Sequence, residues 1–531
     1  MTFVPKRLPI HTIPSWRLGL NTLNSAEEIE DLEFSDCENW AIDDAATTTS
    51  PGYVQNDTGA AIDRIGPYWG IFSFNDNTNQ PHVVRQRQGV LEYAINTYAD
   101  TWTAATMPVG SVTETQPTWA ILNEVLLWSN GTDTVMSSAD YGVNWALQAG
   151  LPKSKVIANN GSNRVIFTAQ PGSLFRIDWS NLNDPLTIGA SSYQLIDPNN
   201  GKEIVGFGKT PKGTNIIFTR TGLYEISTYV DNGIIDVNFI GTANCFNHHT
   251  IATTFDSIIW AGSTGELYEL KDGIISIISG KIAQIGRNNV LKPDTYTAAF
   301  YNYKYHLSMP DNDVSQDYNS QEYIVYKKMS RGDLVQPYPM TRNRRYFGCY
   351  NVQDGDFDYG TDNVLYVGDS RRIGDVTAPV TNTLFAFVND FRDTSFTSGL
   401  NGDTQPAFFV TKYFTENVPY WVKHYRKFFI LLKVTQDLSI TIGYRFLPYG
   451  AFTEVTDSLT AGEMDWIYDD LTTGPFFEGY GFSEEREGSI FHAIENEEKP
   501  RGIQFRISTN EVADVQIYES SYIYRLRPKF K

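Results

Sequence analysis

The chain has 531 residues, of which 41% are hydrophobic and 20% charged, and its formal net charge at pH 7 is −20. At about 150 residues per domain this length predicts two or three domains, and the apolar content is sufficient for large cores. The net negative charge argues against a surface that grips nucleic acid through its phosphates, because such a surface needs clustered Lys and Arg. No run of about 18 apolar residues and no signal-type apolar core is found, so we expect neither a membrane span nor Sec export.

The three cysteines, Cys37, Cys245 and Cys349, are widely separated and lack a C-x-x-C spacing. This pattern indicates neither a disulfide framework nor a zinc site, and it fits a protein made in a reducing cytoplasm. We expect no cofactor.

Residues 1–54 are predicted to form an N-terminal arm with a short helix. The first 20 residues contain prolines and read as irregular. Ser25 and Glu28 then give a capping-box pattern, with Ile29 and Leu32 on one face of the predicted helix. The tripeptide Pro-Gly-Tyr at residues 51–53 marks a turn into the next domain.

Residues 215–226 and 257–270 repeat one pattern: an apolar β run, a glycine break and then Leu-Tyr-Glu. Each unit reads as a β-hairpin, which needs stacked neighbours to bury its apolar face. Five equivalent positions can be aligned at intervals of 42, 40, 51 and 42 residues: Val84, Leu126, Ile166, Ile217 and Ile259. This period predicts an all-β fold with a β-propeller of six or seven blades over residues 55–384. The alternative is a β-sandwich whose spacing is fortuitous.

The octapeptide Ser-Ala-Asp-Tyr-Gly-Val-Asn-Trp at residues 138–145 matches the Asp-box, S-x-D-x-G-x-x-W, of sialidase-like and other propellers. Its role is structural: Ser138 begins the motif, Asp140 can accept backbone N–H groups, Gly142 relieves the turn and Trp145 packs beneath it. The motif indicates a propeller and says nothing about catalysis.

Residues 385–531 are predicted to form an antiparallel β-sandwich. Apolar and polar residues alternate over residues 438–445 and again over residues 503–508, which is the period of half-buried strands. Further strands are predicted at residues 515–517 and 522–524.

Asp354, Asp356 and Asp358 stand at alternate positions and are weak candidates for a calcium loop. Gly360 lies one place late for an EF-hand and Leu365 occupies the twelfth position, so a solvated acidic turn is the competing interpretation. His248 and His249 would point to opposite faces of a strand and are not expected to chelate one ion.

An enzyme of the sialidase type would need arginines gathered from several blades together with an acid and a nucleophile. Arginines occur on separate candidate blades at Arg85, Arg164, Arg220 and Arg287, without a spacing rule. We therefore expect no enzymatic activity and no catalytic residues. Two dense basic stretches, residues 342–345 and 525–531, either dock an acidic surface or are ordinary solvated segments.

The N-terminal residues 18–21, the predicted helix, residues 34–40 and the Pro-Gly-Tyr turn resemble the opening of structural proteins of tailed bacteriophages. In those proteins a similar segment precedes a propeller. Residues 216–282 resemble the middle of the same family, and residues 410–414 and 427–431 resemble its usual C-terminal partner domain.

The resemblance implies a tail component in the class of the tail nozzle, or tail tubular protein, of short-tailed phages. It implies a homo-oligomeric ring, with a hexamer as the expectation, that lies below the portal and adaptor proteins and carries tail fibres. DNA would pass through the ring without specific binding, and the protein would be made in the host bacterial cytoplasm and reside in the virion. The alternative function is a glycan-binding or sialidase-like propeller that recognises a host receptor.

Overall fold

The computed structural model describes most of the chain in separate ranges. The described residues are 9–14, 16, 18–42, 47–49, 54–55, 67–94, 102–196, 203–227, 235–262, 266–282, 295–310, 318–327, 338–345, 347–354, 363–370, 384–387, 407–417, 422–434, 438–459, 486–493, 500–510 and 515–527.

Short strands precede the first blade: β1 (Ile10–Pro14), β2 (Gly19–Leu20), β3 (Glu33–Glu38), β4 (Trp40–Ile42), β5 (Thr47–Thr49) and β6 (Val54–Gln55). The strands of blades 1 to 3 are β7 (Tyr68–Asn75), β8 (Pro81–Arg87), β9 (Val90–Ala94), β10 (Thr103–Ala104), β11 (Thr118–Leu122), β12 (Val125–Ser129), β13 (Met136–Ser138), β14 (Ala146–Leu147), β15 (Val156–Asn159), β16 (Val165–Gln170), β17 (Ser173–Trp179) and β18 (Tyr193–Leu195).

The strands of blades 4 to 6 are β19 (Ile204–Lys209), β20 (Asn215–Thr219), β21 (Leu223–Ile226), β22 (Val237–Gly241), β23 (Ala252–Thr253), β24 (Ile258–Ala261), β25 (Leu267–Lys271), β26 (Ile274–Ile277), β27 (Thr297–Tyr301), β28 (Lys304–Met309), β29 (Gln321–Tyr326) and β30 (Met340–Asn343). Blade 7 contains β31 (Phe347–Asp354), β32 (Asn363–Asp369) and β33 (Leu384–Phe387). The C-terminal strands are β34 (Ala407–Thr411), β35 (Val422–Val434), β36 (Leu438–Arg445), β37 (Thr453–Leu459), β38 (Arg486–Ala493), β39 (Gln504–Thr509) and β40 (Val515–Arg527).

Seven four-stranded antiparallel sheets follow one another along the chain, and each is a propeller blade. The predicted all-β propeller is confirmed, with seven blades among the described residues. The five positions aligned in the sequence all fall on the second strand of their blade, on β8, β12, β16, β20 and β24. Those strands are covered on both faces by neighbouring blades, which is why β16, β20 and β24 are buried along their whole length. The fourth strands β10 and β14 are exposed.

The propeller is closed by a strand from outside its own sequence repeat. β6 pairs antiparallel with β33, with Val54 opposite Ala386 and Gln55 opposite Phe385, and so becomes the fourth strand of blade 7. The predicted boundary between residues 384 and 385 falls inside β33, which belongs to the propeller. The four residues of β33, Leu-Phe-Ala-Phe, are all apolar and suit a sandwich strand equally well, so only the distant pairing decides its place.

The β-sandwich consists of two six-stranded sheets. The first has the order β38-β35-β40-β5-β4, with β1 also paired to β40, and the second has the order β2-β3-β34-β39-β36-β37. Residues 1–54 therefore do not form the separate arm that was predicted, because their strands are shared between the sandwich and blade 7.

The helix predicted at Ser25 is absent. The N–H groups of Glu28 and Ile29 both donate to the carbonyl oxygen of Ser25, at 2.9 and 3.3 Å, and the chain makes one turn before β3 begins. The buried carboxylate of Glu33 accepts the N–H of Glu30 at 2.8 Å, which ends the turn. The capping-box pattern is local, and here strand pairing outweighs it. The described residues include one complete helical element, the 3₁₀ turn His248–Thr250.

The sandwich and the propeller share one hydrophobic cluster. Phe409, Phe505 and Tyr522 of the sandwich belong to the same cluster as Ile259 of blade 5 and Tyr305 of blade 6. The sandwich is therefore packed against blades 5 and 6.

Candidate functional site

The Asp-box forms the turn between the third and fourth strands of blade 2, β13 and β14. The Asp140 carboxylate accepts the Ser138 hydroxyl at 2.7 Å and the N–H of Asn144 at 2.9 Å, and the Ser138 hydroxyl oxygen accepts the N–H of Gly142 at 2.8 Å. The indole N–H of Trp145 donates to the carbonyl of Gly142 at 2.9 Å. Every polar group of the motif is thus used to hold the turn.

The weak calcium-loop candidates cannot be placed as a site. Asp354 is the last residue of β31, and Asp356 and Asp358 lie outside the described residues. In the part of the chain that is described, no group of three or more His, Cys, Asp and Glu side chains could hold a metal ion.

His248 and His249 lie on the 3₁₀ turn between blades 4 and 5 rather than on a strand, so the strand interpretation is wrong. Their rings meet edge to face with centroids 5.3 Å apart. Burial lowers the pKa of His248 to about 4 and that of His249 to about 3, so both are neutral at pH 7.

The candidate arginines bind within their own blades. Arg85 is fully buried and its Nε lies 2.7 Å from Glu92, while Arg164 donates to the carbonyl of Ser180 at 2.6 Å. Arg220 pairs with Glu203 at 2.9 Å, also within one blade. Arg287 lies outside the described residues. These side chains do not converge on a carboxylate-binding site.

The three cysteines are free and buried, and burial raises the pKa of Cys37 and Cys245 to about 12 and raises that of Cys349 as well. A thiol with so high a pKa is a poor nucleophile at pH 7.

One end of the propeller axis is bridged by side chains that the sequence does not single out. The first strands of successive blades face one another around the axis, and Gln116 and Tyr296 directly precede the first strands of blades 2 and 6. The Gln116 side-chain amide donates to the carbonyl of Tyr296 at 3.1 Å and accepts from Asn247, which precedes blade 5, at 2.9 Å. In a ring of seven, blade 2 lies opposite blades 5 and 6, so these bonds cross the axis.

The bridge is reinforced by stacking, because the rings of Phe246 and Tyr296 lie parallel with centroids 4.6 Å apart. Asn247 is also fixed from below: its side-chain oxygen accepts the N–H of His249 at 3.1 Å as the N-cap of the 3₁₀ turn. No local pattern in the sequence could have identified Gln116, since it is a polar residue in an inter-blade loop like many others.

Buried ion networks link neighbouring blades. Lys327 of blade 6 is almost fully buried and pairs with Glu269 of blade 5 at 2.7 Å and with Asp256, and it also donates to Ser257. The Tyr338 hydroxyl donates to the same Glu269 carboxylate at 3.2 Å. Such a network is costly to desolvate and is maintained only when all its members are present.

A second network surrounds Glu322 of blade 6. Its carboxylate lies 2.9 Å from Nδ1 of His306 and 3.1 Å from Arg345, and it accepts the Tyr350 hydroxyl of blade 7 at 2.9 Å. Although burial acts in the opposite direction, Arg345 and His306 lower the pKa of Glu322 to about 2.

The basic stretch at residues 342–345 docks the N-terminal segment onto blade 6. Arg342 pairs with Asp36 of β3 at 2.9 Å. The Asn39 N–H donates to the carbonyl of Arg342 at 3.0 Å, and the Asn39 side-chain oxygen accepts the N–H of Arg344 at 2.9 Å. This stretch therefore meets an acidic surface within its own chain. Of the second basic stretch, the backbone is described only as far as Arg527 in β40.

The contacts and folds described above define a seven-bladed β-propeller joined to a β-sandwich. No protein-family model matches the chain, and no curated protein matches it. No helix in the described residues is long and apolar enough to cross a membrane.

Solved structures with similar folds include two of YCF48. YCF48 from Cyanidioschyzon merolae has 12% identity and a TM-score of 0.37, over 64% of this chain and 98% of that one. YCF48 bound to D1 peptide has 9% identity and a TM-score of 0.39, over 67% and 97%. BBS1N in complex with ARL6DN has 8% identity and a TM-score of 0.37, over 63% and 96%. These likenesses concern the fold and say nothing about activity or partners.

Proposed function

We propose that the chain is a structural protein of a bacteriophage tail, of the nozzle or tail tubular class, and that it forms a sixfold ring which continues the DNA-ejection channel. The ring anchors adaptor and portal-proximal proteins on one side and tail fibres on the other. The sequence resemblance suggests this class. The observation that carries the proposal is the way the buried ion pairs and hydrogen bonds of the propeller are used: they link blades, turns and domains.

The bridged axis bears on where DNA would pass. Gln116, Asn247 and Tyr296 join opposite sides of the propeller through hydrogen bonds of 2.9 to 3.3 Å, so the propeller's own axis cannot admit a duplex. The conduit in this proposal lies between copies of the chain. A net charge of −20 suits a bore that repels the phosphate backbone and binds no DNA sequence.

The proposal is tested by negative-stain microscopy of the purified full chain and of virions that contain it. We expect rings with a central hole in the purified sample and the same density below the portal in the virion. A sample that stays monomeric at all concentrations, with no density at the tail, would overturn the proposal.

The alternative function, a glycan-binding or sialidase-like propeller, would require arginines that converge from several blades. Arg85, Arg164 and Arg220 instead bind partners within their own blades. No described feature of the propeller favours this alternative.

A further inference from the structure

The outer face of the second sandwich sheet carries an open groove of about 530 Å³. Its floor is formed by side chains of β3, β34, β36 and β39, and its rim by the β36–β37 turn and by residues near β2. This volume lies within the range of ordinary small-molecule sites.

Arg445 lines the groove with its charge unpaired. Its Nε donates to the side-chain oxygen of Gln504 at 2.8 Å and its Nη1 to the carbonyl of Gly450 at 2.9 Å, and its guanidinium lies 4.3 Å from the centre of the Phe452 ring. These acceptors are neutral, and no carboxylate among the described residues pairs with Arg445. Burial accordingly lowers the pKa of Arg445.

The position of Arg445 is fixed from below by Gln504, which is fully buried. The Gln504 amide donates to the Ser35 hydroxyl at 3.0 Å and to the carbonyl of Thr411 at 2.7 Å, so its oxygen must face Arg445. The guanidinium is thus held in place before any ligand arrives, which reduces the entropy cost of binding.

A second arginine lies beside it. Arg506 stacks over the Phe408 ring at 4.7 Å and reaches Glu454 at 3.3 Å through Nη1, while its buried Nε has no hydrogen-bond partner among the described residues. The Nη2 groups of Arg445 and Arg506 have no hydrogen-bond partner among the described residues, and a carboxylate can accept one charge-assisted N–H bond from each guanidinium.

The rest of the lining selects the kind of acid. Asp36, which also pairs with Arg342, adds a carboxylate to the lining, and with Glu454 it opposes a multiply charged phosphate but accepts hydroxyl groups. Asn24 is exposed in the same lining, and Tyr449, 93% exposed, stands at the rim as an aromatic surface. A groove lined by guanidinium groups, hydroxyl acceptors and aromatic side chains matches a hydroxylated ring that bears one carboxylate.

We propose that this groove binds an acidic sugar of the hexuronic or sialic acid class, with its carboxylate on Arg445 and Arg506. The site lies on the sandwich and does not depend on the ring proposed above.

The test is isothermal titration and ligand-observed NMR on the full chain with glucuronate and N-acetylneuraminate, with glucose and inorganic phosphate as comparison ligands. We expect at least one of the two acids to bind about tenfold or more tightly than glucose or phosphate, the difference expected from charge-assisted hydrogen bonds. Failure of both acids to bind, or equal binding of phosphate or glucose, would overturn the proposal.

Variants then locate the site. Arg445→Met should weaken the acid about tenfold or more, and the matched control Arg220→Met, an exposed arginine of blade 4, should leave binding unchanged. Tyr449→Ala removes a side chain that is almost wholly exposed and so tests the site even if Arg445→Met does not fold. We expect weaker binding from Tyr449→Ala as well; unchanged binding in both variants, or an equal loss in the control, would contradict the assignment.

Discussion

Gly142 in the Asp-box adopts a φ of +97°, and a Cβ at this position would lie 2.5 Å from Cγ1 of Val84 in blade 1. Gly172 has a similar φ of +82°, but a Cβ there would meet nothing within 4 Å. The two glycines therefore share the backbone strain and differ in the contact with the next blade.

We predict that Gly172→Ala lowers the free energy of unfolding by about 1 kcal/mol, the cost of positive φ, and that Gly142→Ala lowers it by about 1–3 kcal/mol more through overpacking. Chemical denaturation of the two variants measures the difference. Equal losses would mean that the turn moves away from Val84 without cost.

His11 of β1 stacks on Tyr522 with ring centroids 5.0 Å apart and lies between Glu416, at 3.1 Å, and Asp31, at 3.5 Å. Burial acts to lower the pKa of His11, but its hydrogen bonds to Asp31 and Glu416 prevail and raise the pKa from 6.5 to about 9. A folded-state pKa above the unfolded value stabilises the fold fully below pH 6.5, and this contribution is lost as the pH rises through 9.

We therefore predict that the guanidinium concentration at the unfolding midpoint decreases as the pH rises from 6.5 to 9. His11→Gln should lower this midpoint at pH 6 and make it less dependent on pH. Guanidinium titrations at pH 6, 7.5 and 9.5 measure both effects. Parallel pH profiles for the two proteins would show that His11 is not charged in the folded state.

At the scale of elements, the blades are joined through buried ion networks as well as apolar packing. Lys327 links blade 6 to Glu269 and Asp256 of blade 5. Its removal leaves two carboxylates without their common partner, one of them almost fully buried.

We predict that Lys327→Met lowers the free energy of unfolding by about 3–5 kcal/mol, as expected for a broken buried pair, and that adding Glu269→Gln recovers part of the loss. The control is Lys212→Met, which breaks a fully exposed pair with Asp272 and should have no measurable effect. If the double variant were less stable than Lys327→Met alone, the Glu269 carboxylate would be stabilised mainly by partners other than Lys327.

The second strands of the blades could be predicted because each is a continuous apolar run, such as Val165–Gln170, between turn residues. The two-residue outer strands could not, since Thr103–Ala104 and Ala146–Leu147 are exposed and carry no pattern of their own. Their pairing is imposed by the strand beside them rather than by their own residues.

Pairings between strands that are distant in the chain could not be predicted from the sequence either. β1 pairs with β40, with Ile10 opposite Ile523, and β6 pairs with β33, and neither partner contains a signal for the other. The turn at Ser25 shows the opposite error: the local residues predict a helix, but the strands that follow pair with distant segments and allow only one turn. In the groove, the sequence showed Arg445 and Arg506 only as polar residues on alternating strands. That their Nη2 groups lack hydrogen-bond partners among the described residues could be seen only in the structure.

At the scale of the whole molecule, the bridged axis makes the position of the proposed conduit testable. Gln116→Cys with Asn247→Cys would place two thiols on opposite sides of the axis. The present 2.9 Å hydrogen bond joins the ends of two long side chains, so the thiols would be joined by a short bifunctional thiol cross-linker that contains a reducible disulfide. The three native thiols are buried and have raised pKa values, so they should not compete in this reaction.

We predict that virions carrying this cross-linked pair release DNA at the same rate as reduced virions, because the proposed ring conducts DNA between copies of the chain. DNA release measured with and without reductant tests this. A block that is relieved by reductant would place the path along the propeller axis instead.

The order in which strands are made has a consequence for synthesis. The first sandwich sheet needs β40, which ends at Arg527, as the partner of β1 and β5, and blade 7 needs β33 as the partner of β6. At about 5–20 residues per second a ribosome takes roughly half a minute to two minutes to reach β40. Until their partners are made, β1, β6 and one edge of β5 remain unpaired and present open edges to other nascent chains. Completion of this fold must therefore wait for the synthesis of β40, and its yield in a cell should depend on the chaperones that shield those edges during translation.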